Sequence, residues 1–387
     1  MPNVEPFKIA VPEEALADLR DRLARTRWPD EVDGAGWDYG ANLAYMRELV
    51  DYWLERFDWR AEERWLNELP QFRTTIDGQL VHFVHARGVG PAPLPLVVTH
   101  GWPSCFAELS GIVGPLTNPA AHGGDPRDAF DVVIPSLPGF GFSGRPLRRG
   151  QQAVDDLWRA LMVDILGYGS FVAHGTDVGN RVTSALGRHH GDVVRAIHLG
   201  SVDLDWPVPM PSDDELTDEE RDYFARVARW EREEGAYEAI QGTTPQTAAY
   251  GLNDSPAGLA AWIVEKFRAW SDCDGDIERA FSKDELLTNI TIYWVTETIN
   301  SSMRRYYESR NNPARDPRKP RPRVATPTAI AMFPGEKLLV VPRSWAEREY
   351  EVAQWTEMPR GGHFPALEEP ELLVDDLRRF FRRFRDV

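Results

Sequence analysis

Cysteine is nearly absent: of 387 residues only Cys105 and Cys273 carry a thiol. Two thiols cannot build a disulfide scaffold or hold a thiolate zinc site alone. They could form one bridge, but they read as free thiols of a reducing compartment, the cytoplasm. Positive charge is also short, with 44 Lys and Arg against 61 Asp and Glu and a net charge of −17. A chain so acidic lacks the cations that neutralise phosphates. That argues against general nucleic-acid binding and against docking to anionic lipid. No apolar run approaches the ~20 residues of a membrane-spanning helix. The first twenty residues lack the basic and apolar blocks of a signal peptide. No internal repeat is present. What remains is globular: 42% hydrophobic and 27% charged residues supply a large core and exclude disorder as the main state.

The texture changes along the chain. Leu16, Leu19 and Leu23 recur at helical spacing within Pro12 to Trp28, and Met46, Leu49, Val50 and Trp53 do so within Leu43 to Phe57. Glu62 to Leu69 reads as a third helix. Phe72 to Val84 reads as two short strands around the hairpin signal Asp77-Gly78. Short apolar runs then alternate with helical stretches: Leu94–Thr99, Phe130–Ile134, Phe171–Ala173 and Val194–Leu199, with helices at Ala153–Leu166 and Arg181–His190. That alternation indicates an α/β protein with a mostly parallel central sheet. From about Asp205 to Arg310 the pattern is almost wholly helical, with no obvious strand. Asn312–Arg323, rich in Pro and Arg, reads as a linker. Strands return at Thr328–Phe333 and Val352–Met358, and Pro370–Phe381 reads as a closing helix. The expected organisation is an N-terminal region (1–92), a sheet core (93–205 and 316–387) and an inserted helical cap (206–315).

The chemistry centres on Gly175-Thr176-Asp177-Val178-Gly179, between a strand and a helix. Small residues two positions before and after a nucleophile allow the sharp turn that exposes it above a sheet. With Asp in the centre, the nucleophile is a carboxylate, which esterifies an alkyl carbon. His100-Gly101-Trp102-Pro103 ends an earlier strand, so the backbone N–H groups of Trp102 and Val178 can form an oxyanion hole at Asp177. Downstream, Phe333-Pro334-Gly335-Glu336 and Arg360-Gly361-Gly362-His363-Phe364 follow strands. They offer Glu336 as the orienting acid and His363 as the base, in the order nucleophile, acid, histidine of the α/β-hydrolase fold.

These motifs resemble the microsomal and juvenile-hormone type of epoxide hydrolases and their bacterial relatives over nearly the whole chain. The resemblance includes Pro6-Phe7, Thr26-Arg27-Trp28-Pro29, Leu137-Pro138-Gly139-Phe140-Gly141-Phe142-Ser143, Leu252-Asn253-Asp254-Ser255-Pro256 and Ser302-Met303-Arg304-Arg305-Tyr306. It implies conversion of a small apolar epoxide and water to a vicinal diol through an ester on Asp177, without metal or organic cofactor. It also implies two cap tyrosines that donate to the epoxide oxygen: Tyr237, in Tyr237-Glu238-Ala239-Ile240-Gln241, and Tyr306. Tyr307 and Tyr250 match less well. The chemistry itself needs such donors. Alkoxide is a poor leaving group, and a phenol stays protonated at neutral pH. Relatives with a membrane-anchoring helix carry it ahead of the N-terminal region; none precedes it here, so a soluble form is expected.

One departure is Val178, where many relatives have Trp. Backbone donation survives the change. A haloalkane dehalogenase-like hydrolase with the same Asp nucleophile is the alternative, but that family usually binds halide through the Trp indole, and Val178 has no side-chain donor. A catalytically dead scaffold is disfavoured by the intact Asp, Glu, His and two Tyr. Gly139-Phe140-Gly141-Phe142-Ser143-Gly144 fits a dinucleotide fingerprint literally, but Arg145-Pro146 follows where a helix should open. Asp272, Asp274 and Asp276 resemble the start of a calcium loop, yet Ile277 stands where Gly is needed, so an acidic turn is expected. His189-His190 lacks a partner at helical spacing and reads as ordinary helix histidines.

Overall fold

The computed structural model describes residues 4–148, 150, 153–202, 212–312, 321–336 and 340–385. Its centre is a nine-stranded sheet: β1 (Glu5–Phe7), β2 (Gln71–Ile76), β3 (Gln79–Ala86), β4 (Leu94–Thr99), β5 (Phe130–Pro135), β6 (Phe171–Gly175), β7 (Val194–Leu199), β8 (Val324–Met332) and β9 (Tyr350–Glu357), in the order β1-β2-β3-β5-β4-β6-β7-β8-β9. The strands from β5 to β9 in that order run parallel, while β1, β2 and β3 pair antiparallel. The N-terminal region is therefore part of the sheet: β3 pairs with β5 and carries it outward. Asp77 and Gly78 turn the β2–β3 hairpin, both at positive φ. β1 has only three residues, too few to show an alternating pattern, and was not legible in the sequence.

The parallel strands are apolar on both faces. Val97, Val133, Ala173 and Ile197 point into one cluster, and Leu96, Val132, Val172 and Ala196 into the other. Helices cover each side, which is why these strands read as continuous apolar runs. The helix read over Ala153–Leu166 winds as α from Val154 to Arg159 and widens to π from Ala160 to Ile165. Both cysteines are free and buried.

Between β7 and β8 lie the helices Asp218–Glu233, Ala236–Thr243, Pro245–Leu252, Pro256–Trp270, Lys283–Thr296 and Ile299–Arg310. They pack over the carboxyl ends of the parallel strands. Asn289 Nδ2 donates to the Pro103 carbonyl at 2.9 Å, the Tyr293 hydroxyl to the Ser104 carbonyl at 2.8 Å, and Ser301 Oγ to the Gly139 carbonyl at 2.6 Å. The boundaries at 206 and 316, and residues 313–320 of the basic linker, lie outside the described residues. No helix among the described residues is long and apolar enough to cross a membrane.

Candidate active site

Sheet register brings the site together. Thr99 of β4 lies level with Gly175 of β6, so the loop 100–104 and the turn 175–179 leave the sheet side by side. Met332 of β8 lies level with Glu357 of β9, so the Glu336 and His363 loops also leave together. The carboxyl edge of a parallel sheet is where such folds hold ligands.

Asp177 caps the helix Val178–His189 with φ 51° and ψ −121°, a backbone conformation that L-residues rarely adopt. Only close packing sustains it. A Cβ at Gly175 would overlap the Gly179 carbonyl, and one at Gly179 would overlap the Thr99 carbonyl. The two glycines let helix and strand approach closely enough to force the turn. Asp177 Oδ1 accepts the Trp102 N–H at 2.7 Å. Burial raises the carboxyl above its ordinary range, while His363 and the N–H groups of Trp102 and Val178 pull it back.

His363 Nε2 lies 3.6 Å from Asp177 Oδ2, and its Nδ1–H donates to Glu336 Oε2 at 2.6 Å. The two loops are tied to each other by the Gly335 N–H to the Gly361 carbonyl, 2.8 Å. The histidine loop is also tied to the cap. The His363 N–H donates to the Trp270 carbonyl at 3.0 Å and the Gly361 N–H to Asp272 Oδ2 at 2.9 Å. At Gly362 a Cβ would stand 2.7 Å from that Trp270 carbonyl. Burial alone would push the imidazole pKa down. The Glu336 charge and hydrogen bond, with Asp177, reverse this and hold it up at about 9. The imidazole is thus held protonated between Asp177 and Glu336.

Facing them across a cavity of about 80 Å³ are Tyr237 and Tyr306. The Tyr237 ring stacks on Trp102 with centroids 5.1 Å apart, and Tyr306 meets both rings edge-on at 5.9 Å. Burial raises both phenols well above their ordinary value, with neighbouring carboxylates adding to the shift. Both stay protonated at neutral pH and are able to donate. The arrangement is a carboxylate held by one oxygen, with its other oxygen facing a charged histidine and two phenolic donors.

The Epoxide hydrolase N terminus family model matches residues 4–109, and the Alpha/beta hydrolase family model matches 96–376. A Stigmatella aurantiaca protein that carries an epoxide hydrolase name is 43% identical over 386 residues, covering 99% of this chain and 86% of that protein. Epoxide hydrolase 1 of Sus scrofa is 35% identical, covering 98% and 88%. The chain belongs to the α/β-hydrolase-fold epoxide hydrolases. The solved structure of the Aspergillus niger epoxide hydrolase superposes with a TM-score of 0.85 at 29% identity, covering 98% of this chain and 96% of that one.

Within this epoxide hydrolase the other residues singled out fall away from the chemistry. Tyr307 and Tyr250 are exposed. No helix follows the 139–144 glycines before Val154 among the described residues. Asp274 pairs with Arg279 at 2.6 Å and Asp276 caps a short turn. Asp272, in the same acidic turn, fixes the histidine loop. His189 and His190 pair with Asp155 and Asp156. Their partners come from the helix Val154–Arg159, so spacing within one helix could not reveal them.

Sequence reasoning missed Trp230, Trp270 and Arg181, which also line the pocket. Aromatic residues in an amphipathic helix look alike whether they face core or cavity. It also missed Glu108, buried behind the Trp102 loop. A carboxylate within the otherwise apolar stretch Cys105-Phe106-Ala107-Glu108-Leu109 was the available signal.

Proposed function

We propose that Asp177, His363, Glu336, Tyr237 and Tyr306 carry out the epoxide hydrolysis of this enzyme in two half-reactions. Oδ1 of Asp177 is engaged by the Trp102 N–H, so Oδ2 is the oxygen free to attack an epoxide carbon. As the C–O bond breaks, Tyr237 or Tyr306 protonates the departing oxygen, giving a β-hydroxyalkyl ester and a phenolate. Esterification removes the Asp177 charge, one of the groups that hold His363 protonated. His363 then gives up the proton that restores the phenol. Neutral His363, oriented by Glu336, takes a proton from water, which attacks Cγ of the ester. The oxyanion develops on Oδ1, facing the N–H groups of Trp102 and Val178. Collapse releases the diol with the proton from His363, and the carboxylic acid left behind recharges the imidazole.

The single observation that carries this reading is the His363–Asp177–Trp102 geometry, with two protonated phenols across the pocket. Val178 supplies no side-chain donor for halide, which favours an epoxide over a haloalkane. Incubation with styrene oxide and, separately, with a haloalkane tests the choice: diol forms and halide is not released. On the same reading the chain divides into an N-terminal region (1–92), a core (93–205 and 316–387) and a cap (206–315). Two buried free thiols support a reducing, cytoplasmic location.

A further inference from the structure

A second cavity, of about 410 Å³, lies behind the loop that carries Trp102 and shares no lining residue with the epoxide pocket among the described residues. Its inner wall holds Ser104, Glu108 and Asn289, and Glu62, Asp284 and Glu285 also line it. Glu108 and Asn289 are 5% and 7% exposed. Glu108 Oε2 accepts the Ser104 hydroxyl, while Glu108 Oε1 and Asn289 Oδ1 have no hydrogen-bond partner among the described residues. Buried polar atoms of this kind are ordinarily satisfied by water, and the space holds on the order of ten molecules.

The cavity borders the loops of the site: Ala366, which lines it, is three residues from His363. The Glu108 charge acts on His363 and is acted on by Asp177. Ser104 is two residues from Trp102, and Asn289 holds the intervening Pro103 carbonyl. His363 Nε2 is buried and has no hydrogen-bond partner among the described residues. In the second half-reaction the alkyl group of the ester fills the small epoxide pocket, so water needs another way in.

We propose that this rear cavity delivers the hydrolytic water, and that Glu108 is the positioning residue that hands it to His363. The inference rests on the ester mechanism above. Burial raises the Glu108 carboxyl to about 7, so near neutrality it can both accept from and donate to that water.

The test uses the full chain, styrene oxide, rapid quenching and intact-protein mass to count ester. Glu108→Gln keeps the shape but replaces the carboxyl with an amide, which cannot take up or release a proton. Gly111→Trp fills the cavity mouth; the nearest atom to a Cβ at Gly111 is 4.0 Å away, so the backbone there has room for a side chain to start. Both variants should form ester at the wild-type rate and hydrolyse it at least about tenfold more slowly. In steady state kcat falls while kcat/KM holds, a split that general damage to the fold would not produce. Ester hydrolysis at the wild-type rate in both variants overturns the proposal. Should Glu108→Gln lose ester formation, Gly111→Trp alone decides. A wild-type enzyme that forms no ester overturns the covalent reading and this inference with it.

Discussion

Each residue of the site works through a neighbour that sets its charge. In the proposed mechanism Tyr237 and Tyr306 act as acids because burial keeps them protonated beside a carboxylate. Tyr237→Phe and Tyr306→Phe should each slow ester formation, and the double variant by about 10²–10⁴-fold, the usual scale of general-acid help. Pre-steady-state alkylation rates measure this, and a double variant that alkylates at the wild-type rate assigns the donor elsewhere. Glu336→Gln keeps a hydrogen bond but removes the charge that stabilises the imidazolium. Ester hydrolysis should suffer more than ester formation. The same variant should reshape stability against pH. His363 is raised from 6.5 to about 9 in the folded protein. Its stabilising protonation is fully present below roughly pH 6.5 and is lost as pH rises through about 9. Thermal melts of wild type and Glu336→Gln should therefore differ most below pH 6.5 and converge toward pH 9.

At the scale of elements, the turn between β6 and the helix Val178–His189 is the critical joint. Gly179→Ala places a methyl against the Thr99 carbonyl, which is backbone and cannot rotate away. The overpacking should cost roughly 1–3 kcal/mol and shift Asp177 off the Trp102 N–H. A lower melting temperature together with lost ester formation checks both. This joint was legible in the sequence because the strain of a nucleophile turn demands glycine at fixed offsets. The His363 loop was legible for a similar reason, Gly361-Gly362 allowing close approach to the cap. The tyrosines were not legible from periodicity. Tyr237 and Tyr306 sit on amphipathic helices where pocket-facing and core-facing aromatics have the same spacing, and only their resemblance to family motifs marked them out. Asp272 escaped because its role is a tertiary hydrogen bond across 89 residues.

For the whole molecule, the parallel strands β4 to β9 announced themselves as apolar runs because both faces are covered. The three antiparallel strands did not announce their place. Pairing of β3 with β5 is set by tertiary packing, so the N-terminal region looked separate when it extends the sheet. The cap was legible as a long helical stretch, but its position over the strand ends appears only through contacts such as Tyr293 to Ser104. All these parts serve one claim: the protein's own carboxylate, rather than water, opens the epoxide. Isotopic oxygen tests it most directly. In a single turnover with excess unlabelled enzyme in ¹⁸O-water, the diol should be largely unlabelled. Repeated turnover should place ¹⁸O in the Asp177 carboxylate, and His363→Gln should stall with the mass of the epoxide added to the peptide containing Asp177. Diol labelled in the first turnover, with Asp177 unlabelled, would contradict the account.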